Sequence, residues 1–161
     1  QEAILVAGGL GIAPFKLMQK ELSQKGVPMT LFYGVGSADQ FCDLDFYKAL
    51  TNLHCSTVDG SFGHHGLVTE LLVEYLKAMG DRDNKTVYVC GPTPMMRRVQ
   101  EIVQEYKVDA QVTLETIMAC GFGACVGCAV RMAKPQAGVK EYYLACKDGP
   151  VFIMEEIIID D

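Results

Sequence analysis

The sequence predicts an α/β fold: an open parallel sheet of five strands with helices on both faces, followed by a small carboxyl-terminal subdomain. Three observations predict it. Over the first two-thirds of the 161 residues, short apolar runs alternate with longer helical patterns, as strands covered on both faces by crossover helices require. Glycine clusters close four of those runs, on the sheet edge where such folds bind ligands. From about Glu115 the alternation stops, and four of the seven cysteines crowd into the remainder.

The elements follow in order. Residues 3–7 (AILVA) form an apolar run ending in Gly8-Gly9, and residues 13–25 mix Phe15, Leu17, Met18 and Leu22 with Lys, Gln and Glu before Gly26, a helix with its stop. Residues 29–33 make a second strand ending at Gly34, and a weaker helix covers 45–50. Residues 54–58 make a third strand that runs into Asp59-Gly60-Ser61, and residues 67–79 a helix with Leu71, Leu72, Tyr75 and Leu76 on its apolar face. A fourth strand at 86–90 leads through Gly91-Pro92 to a helix at about 93–106, and 111–114 supplies the fifth strand. In the tail, 126–132 and 141–144 are short strands, and 133–138, with Pro135 and Gly138, is a loop.

Composition removes several function classes. Fourteen Lys and Arg stand against 20 Asp and Glu, a net charge of -6, which argues against nucleic acid or an anionic membrane surface as the main partner. No apolar run approaches the roughly 20 residues of a membrane span, and no signal peptide is visible. The chain reads as soluble and intracellular. An odd, clustered set of cysteines does not suit a secreted disulfide scaffold and points to metal.

Gly8-Gly9-Leu10-Gly11-Ile12-Ala13-Pro14 follows a strand and opens a helix. Glycines let a backbone approach a pyrophosphate, and the helix start offers free N–H groups to an anion. The spacing departs from G-x-G-x-x-G, with Pro14 in place of the third glycine, and a plain tight turn is the competing reading. Cys90-Gly91-Pro92-Thr93-Pro94-Met95 follows the fourth strand. No histidine lies near Cys90 in sequence, so a small buried residue fits it better than a nucleophile.

Together these motifs resemble the nicotinamide-nucleotide domain of the ferredoxin reductase superfamily, with G-G-x-G-x-x-P after its first strand and C-G-P-x-x-M after its fourth. The resemblance extends to Tyr33-Gly34 and to Asp59-Gly60-Ser61-x-Gly63-x-x-Gly66, and covers residues 3–114. It implies that Gly8, Gly9, Gly11 and Pro14 line the pyrophosphate. It also implies that Cys90, Gly91, Pro92 and Met95 sit at the nicotinamide end, and that Asp59 and Gly60 are crevice residues. After the second strand no basic residue appears before Lys48, which favours NADH over NADPH, whose 2′-phosphate calls for Arg or Lys. His64 and His65 are either phosphate or substrate contacts or solvated loop residues.

Cys120, Cys125, Cys128 and Cys146 are spaced C-x4-C-x2-C-x17-C, the pattern of plant-type [2Fe–2S] ligation. Gly121, Gly123 and Gly127 would let the loop wrap a cluster and offer N–H groups to its sulfurs. Structural zinc is the competing reading, although only Cys125 and Cys128 make the short pair that zinc sites favour. Cys42 and Cys55 lack such spacing and read as buried thiols.

Leu114-Glu115, then Met118-Ala119-Cys120-Gly121-x-Gly123-Ala124-Cys125-x-x-Cys128 and Cys146-Lys147-Asp148-Gly149-Pro150-Val151-Phe152, look like the electron transfer subunits of class B dihydroorotate dehydrogenases. The small subunit of bifurcating ferredoxin:NADP oxidoreductases, a related branch, tends to carry Asp in place of Cys120. The 17 residues between Cys128 and Cys146 are a few more than that family leads one to expect. The resemblance implies a nucleotide domain at 1–114, a [2Fe–2S] subdomain at 115–161, and a flavin-binding barrel that would precede Gln1 and is absent from this chain. It implies a path in the intact protein from dihydroorotate to FMN in a partner catalytic subunit, then through the cluster to FAD and NAD+, in a cytoplasmic heterotetramer serving pyrimidine biosynthesis. The chain alone is not expected to turn over. An NAD(P)H-linked iron–sulfur module of a hydrogenase, sulfide dehydrogenase or bifurcating complex is the alternative. Phe122, between two glycines of the cysteine loop, is the candidate partner contact, Val126 a packing residue, and Val151 a further apolar residue near the ligands.

Overall fold

The computed structural model describes residues 2–80, 83–136 and 140–160. The strands β1 (Glu2–Gly8), β2 (Met29–Val35), β3 (Asn52–Thr57), β5 (Lys85–Cys90) and β6 (Asp109–Thr113) match the five read from the sequence. Two short strands extend the sheet: β4 (His64–His65) at one edge and β9 (Val151–Ile153) at the other, giving seven in the order β4-β3-β2-β1-β5-β6-β9. At two and three residues they are too short for alternation to reveal. β9 pairs antiparallel with β6, so the sheet is parallel except where the tail joins it.

The helices α1 (Ala13–Gln24), α2 (Leu44–Leu50), α3 (Val68–Ala78) and α4 (Thr93–Tyr106) lie between the strands, and a short 3-10 turn, Gly9–Ile12, feeds α1. In α3, Val68, Leu72 and Leu76 are buried at steps of four, and in α4 Met96, Val99, Ile102 and Val103 are buried, the stripe that points a helix at a sheet. These residues form one core with Ile4, Val6, Val87, Val89 and Val112; Leu5, Ala7, Phe15, Leu31 and Tyr33 fill the other face.

The tail does not stand apart. β7 (Ala129–Gln136) and β8 (Lys140–Leu144) pair antiparallel, and α5 (Ala145–Asp148) leads back to β9. Cys128, Val130, Ala145, Phe152, Met154 and Ile157 are buried in the same core as α3 and α4. Two sequence expectations change here. β7 continues through Pro135 to Gln136, where a loop was expected; a break in register between Arg131 and Gln136 accommodates it, as bulges and two-stranded edges do. Positions 137 and 138 of that expected loop lie outside the described residues. The strand expected from Val126 begins at Ala129, because Val126 is left-handed (φ 60°) and its carbonyl accepts the Ala129 N–H at 3.2 Å.

Candidate nucleotide cleft and cysteine loop

The parallel register sets Gly8 of β1 beside Gly34 of β2, and Gly34 beside Ser56 of β3. This row forms the floor of a cleft of about 440 Å³ at the carboxyl edge of the sheet, walled by Gly9, Val35, Leu67, Pro92, Met95 and Arg98. The floor depends on missing side chains: a Cβ at Gly34 would lie 2.7 Å from Val68 Cβ. Beneath the wall, the loop after β1 rests on the end of β5, where a Cβ at Gly11 would lie 2.2 Å from the Cys90 carbonyl oxygen. Only glycine permits either approach.

Of the residues singled out in the sequence, Gly8, Gly9, Pro92 and Met95 line the cleft. Gly11 and Cys90 lie underneath it as the packed joint just described, and Gly91 abuts Gly8. Burial pushes the Cys90 thiol up to about 11, with the Glu115 carboxylate adding to the rise, so it is no nucleophile near neutral pH. Pro14 is exposed in the first turn of α1. Asp59 and Gly60 are exposed in the turn after β3. There Asp59 Oδ1 accepts the Ser61 N–H at 2.9 Å, Ser61 Oγ accepts the Ala38 N–H at 2.9 Å, and the Ser61 hydroxyl and N–H hold the Asp59 carboxyl below its usual range. Asp59 thus braces the β3 turn against the loop after β2. His64 Nε2 lies 2.8 Å from Glu70 Oε2 in the first turn of α3.

The cleft also contains residues that the motifs did not indicate: Gln40, Ser56, Thr69 and Arg98. Gln40 Oε1 accepts the Gly36 N–H at 2.8 Å, and Arg98 pairs with Glu101 at 2.6 Å. Ser56 is 1% exposed, and among the described residues its Oγ has no hydrogen-bond partner. A larger hollow of about 630 Å³, bordered by Thr86, Lys107, Asp109 and Glu155, lies at the start of β5 and β6, away from the glycine row.

Between β6 and β7 the chain forms the cysteine loop. Cys120 Sγ accepts the N–H groups of Ala124 at 3.3 Å and Cys125 at 3.4 Å, and Cys125 Sγ accepts that of Gly127 at 3.4 Å. Gly121 and Gly123, both with positive φ, make the tight wrap. The N–H of Cys125, with that of Phe122, lowers the Cys120 thiol to about 6, the thiolate form that binds metal. Cys128, buried just ahead of β7, lies 3.2 Å, sulfur to sulfur, from Cys146 on α5. The N–H and thiol of Cys146 lower Cys128, and the contact with Cys128 raises Cys146. Leu144 N–H donates to Asp148 Oδ2 at 2.7 Å, closing the α5 turn that carries Cys146. Among the described residues, no group of three or more His, Cys, Asp or Glu gathers around a single-ion site. Backbone donors support the sulfurs of Cys120 and Cys125, and Cys128 and Cys146 meet sulfur to sulfur, a donor set of four thiols whose chemistry fits a two-iron cluster.

Two further expectations are corrected. Cys42 is exposed rather than buried, on the short segment before α2, where its N–H donates to the Tyr33 hydroxyl at 3.4 Å; Cys55 is half-buried, its thiol raised by burial to about 11. Val126 is 42% exposed rather than packed, because its left-handed backbone turns at the loop surface. Phe122 is 74% exposed, and Ile117, Met118 and Val151 join it as apolar residues open to solvent.

Residues 5–101, more than half of the chain, match the oxidoreductase NAD-binding domain. The chain belongs to the oxidoreductase NAD-binding family. Residues 115–158 of this NAD-binding oxidoreductase chain match the iron-sulfur cluster binding domain of dihydroorotate dehydrogenase B. It is 36% identical over 94% of its length to the probable dihydroorotate dehydrogenase B (NAD(+)), electron transfer subunit, of Methanocaldococcus jannaschii, covering 54% of that protein. The corresponding subunit of Fusobacterium nucleatum is 33% identical over 99% of the chain, with 59% of that protein covered. The chain therefore spans little more than half the length of these curated relatives. Among solved structures, an NADH-dependent reduced ferredoxin-NADP oxidoreductase studied for flavin-based electron bifurcation superposes with a TM-score of 0.82 at 30% identity, covering 98% of this chain and 54% of that one. A ferredoxin-NADP+ reductase from Plasmodium falciparum, at 21% identity and a TM-score of 0.52 over 65% of this chain and 45% of that one, shares the fold. Among the described residues no helix is long and apolar enough to cross a membrane.

Proposed function

We propose that this chain is the dinucleotide- and cluster-bearing portion of a cytoplasmic electron transfer subunit of dihydroorotate dehydrogenase B, acting in pyrimidine biosynthesis beside an FMN-containing catalytic subunit in a heterotetramer. The observation that carries the reading is the cysteine loop, where Cys120 Sγ accepts the Cys125 N–H and Cys128 Sγ meets Cys146 Sγ, in a segment that shares its core with a glycine-floored cleft. When bound, NAD carries hydride, a [2Fe–2S] cluster carries single electrons, and FAD, held in the longer protein, converts between them.

The residues supply binding and orientation. Gly8 and Gly9, with the first turn of α1 at Pro14, leave the backbone open to a pyrophosphate, and Gly11 keeps that loop seated on Cys90. Gly91, Pro92 and Met95 form the wall at the nicotinamide end, and Asp59-Gly60 brace the far rim. The four cysteines would hold the cluster, with the N–H groups of Ala124, Cys125 and Gly127 stabilising charge on the sulfurs of Cys120 and Cys125. Nucleotide residues 1–114 and cluster residues 115–161 divide these tasks. The segment Gly34-Val35-Gly36-Ser37-Ala38-Asp39 has no cation for a 2′-phosphate, which supports NADH as the working nicotinamide.

The ferredoxin-NADP oxidoreductase neighbour supports a second reading, a module of a bifurcating complex. Cysteine at position 120 favours the dihydroorotate branch. The test is an absorption spectrum with iron and acid-labile sulfide assays on anaerobically purified chain, followed by co-purification with each candidate catalytic subunit. Two irons, two sulfides and a complex with the dihydroorotate-oxidising subunit are expected. A colourless protein holding one zinc would end the electron-transfer reading.

A further inference from the structure

Ser56 is the row's exception. Gly8 and Gly34, its register partners across β1 and β2, present no side chain to the cleft, whereas β3 places a hydroxyl there. Ser56 is 1% exposed, and among the described residues that hydroxyl is unpartnered. A buried hydroxyl left without a bond carries its full desolvation penalty, and such groups in native folds are met by a water or a ligand. Gly34, Val58, Leu67 and Val68 of the floor and wall are apolar, and neither Thr69 of the same lining nor His64, its register partner on β4, makes a hydrogen bond to it among the described residues.

The position along the row sets what the hydroxyl meets. Adjacent strands lie about 4.8 Å apart, so Ser56 is roughly 10 Å from Gly8, the reach from a diphosphate on the glycine loop to the adenosine that it carries. We infer that Ser56 is a positioning residue for the dinucleotide: its hydroxyl hydrogen-bonds the adenosine half as that half lies across Gly34. The inference rests on the dinucleotide reading of the cleft and names the polar anchor that the reading lacks. Ser56 is neutral and enclosed, so it suits a neutral sugar or base group and not a phosphate.

The experiment compares wild type with Ser56→Ala by titration calorimetry against NAD+ and against ADP, alongside the melting temperature of each unligated protein. Loss of one hydrogen bond is expected to weaken both ligands about tenfold. The unligated variant should melt at the same temperature or higher, because an orphaned buried hydroxyl has been removed. Equal ADP affinity in the two proteins would overturn the inference, as would a lower unligated melting point accounting for the loss. If wild type binds neither ligand, the dinucleotide reading itself falls. Should Ser56→Ala fail to fold, Ser56→Cys keeps the shape with a weak donor and is expected to lose affinity in the same direction.

Discussion

Cys128 and Cys146, 18 residues apart in sequence, place their sulfurs 3.2 Å apart, and the Ala145 N–H donates to the Cys128 carbonyl at 3.0 Å. The strand start and the α5 turn are therefore joined by backbone as well as by thiols. Replacing Cys146 with Ser should preserve that joint but remove half of one pair. Iron per chain is expected to fall well below two, with the visible absorption lost and far-ultraviolet circular dichroism retained. Full iron in Cys146→Ser would remove it from the ligand set.

Gly11→Ala tests the seat beneath the cleft. The added carbon would meet the Cys90 carbonyl at 2.2 Å, and backbone cannot yield as a flexible side chain does. Overpacking of this kind costs about 1–3 kcal/mol. The expected result is a melting point lower by several degrees and NAD+ affinity reduced at least tenfold, both read on the purified chain.

Alkaline pH should loosen the protein through Cys90. Its thiol is raised from an ordinary value near 9 to about 11, first by burial and then by Glu115. The native state holds the neutral thiol while the unfolded chain ionises, so stability is whole below about pH 9 and declines as pH rises towards 11. Melting temperatures between pH 8 and 11 should fall along this window, less steeply in Cys90→Ala. Cys55, also near 11, accounts for part of the remaining slope.

Phe122→Asp tests the apolar rim. Phe122 is 74% exposed between two glycines, so a carboxylate there disturbs no core. Iron content should stay intact while assembly with the catalytic subunit weakens at least tenfold in sedimentation or pull-down titration. Loss of iron instead would make the ring a support for the loop.

Periodicity revealed the five strands of the parallel core because β1 and β2 are buried along nearly their whole length, β5 and β6 carry buried apolar residues and β3 half-buried ones, and the helices because their stripes repeat at three and four. It missed β4 and β9, whose two or three residues are strands only because a neighbour offers a ladder. It could not anticipate β7 passing through Pro135, since a bulge in a two-stranded edge depends on its partner. The glycine motifs led to the cleft, but motif spacing does not show which loop glycines face the ligand and which, like Gly11, face a carbonyl. Ser56 carries no motif; its only signal is register, the hydroxyl level with Gly8 and Gly34, which exists once strands are paired. Val126 reads as interior by residue type, and its left-handed backbone turns it to the surface instead.

The return of the tail to the sheet has a consequence for dividing the chain. Phe152, Met154 and Ile157 belong to the core that α3 and α4 close, and β9 caps β6 through Val112 and Phe152. A gene split after the last parallel strand would leave one product with a raw edge and the other without an interior. The tail and the nucleotide half of this chain thus share one interior, and either fragment alone would lack part of it.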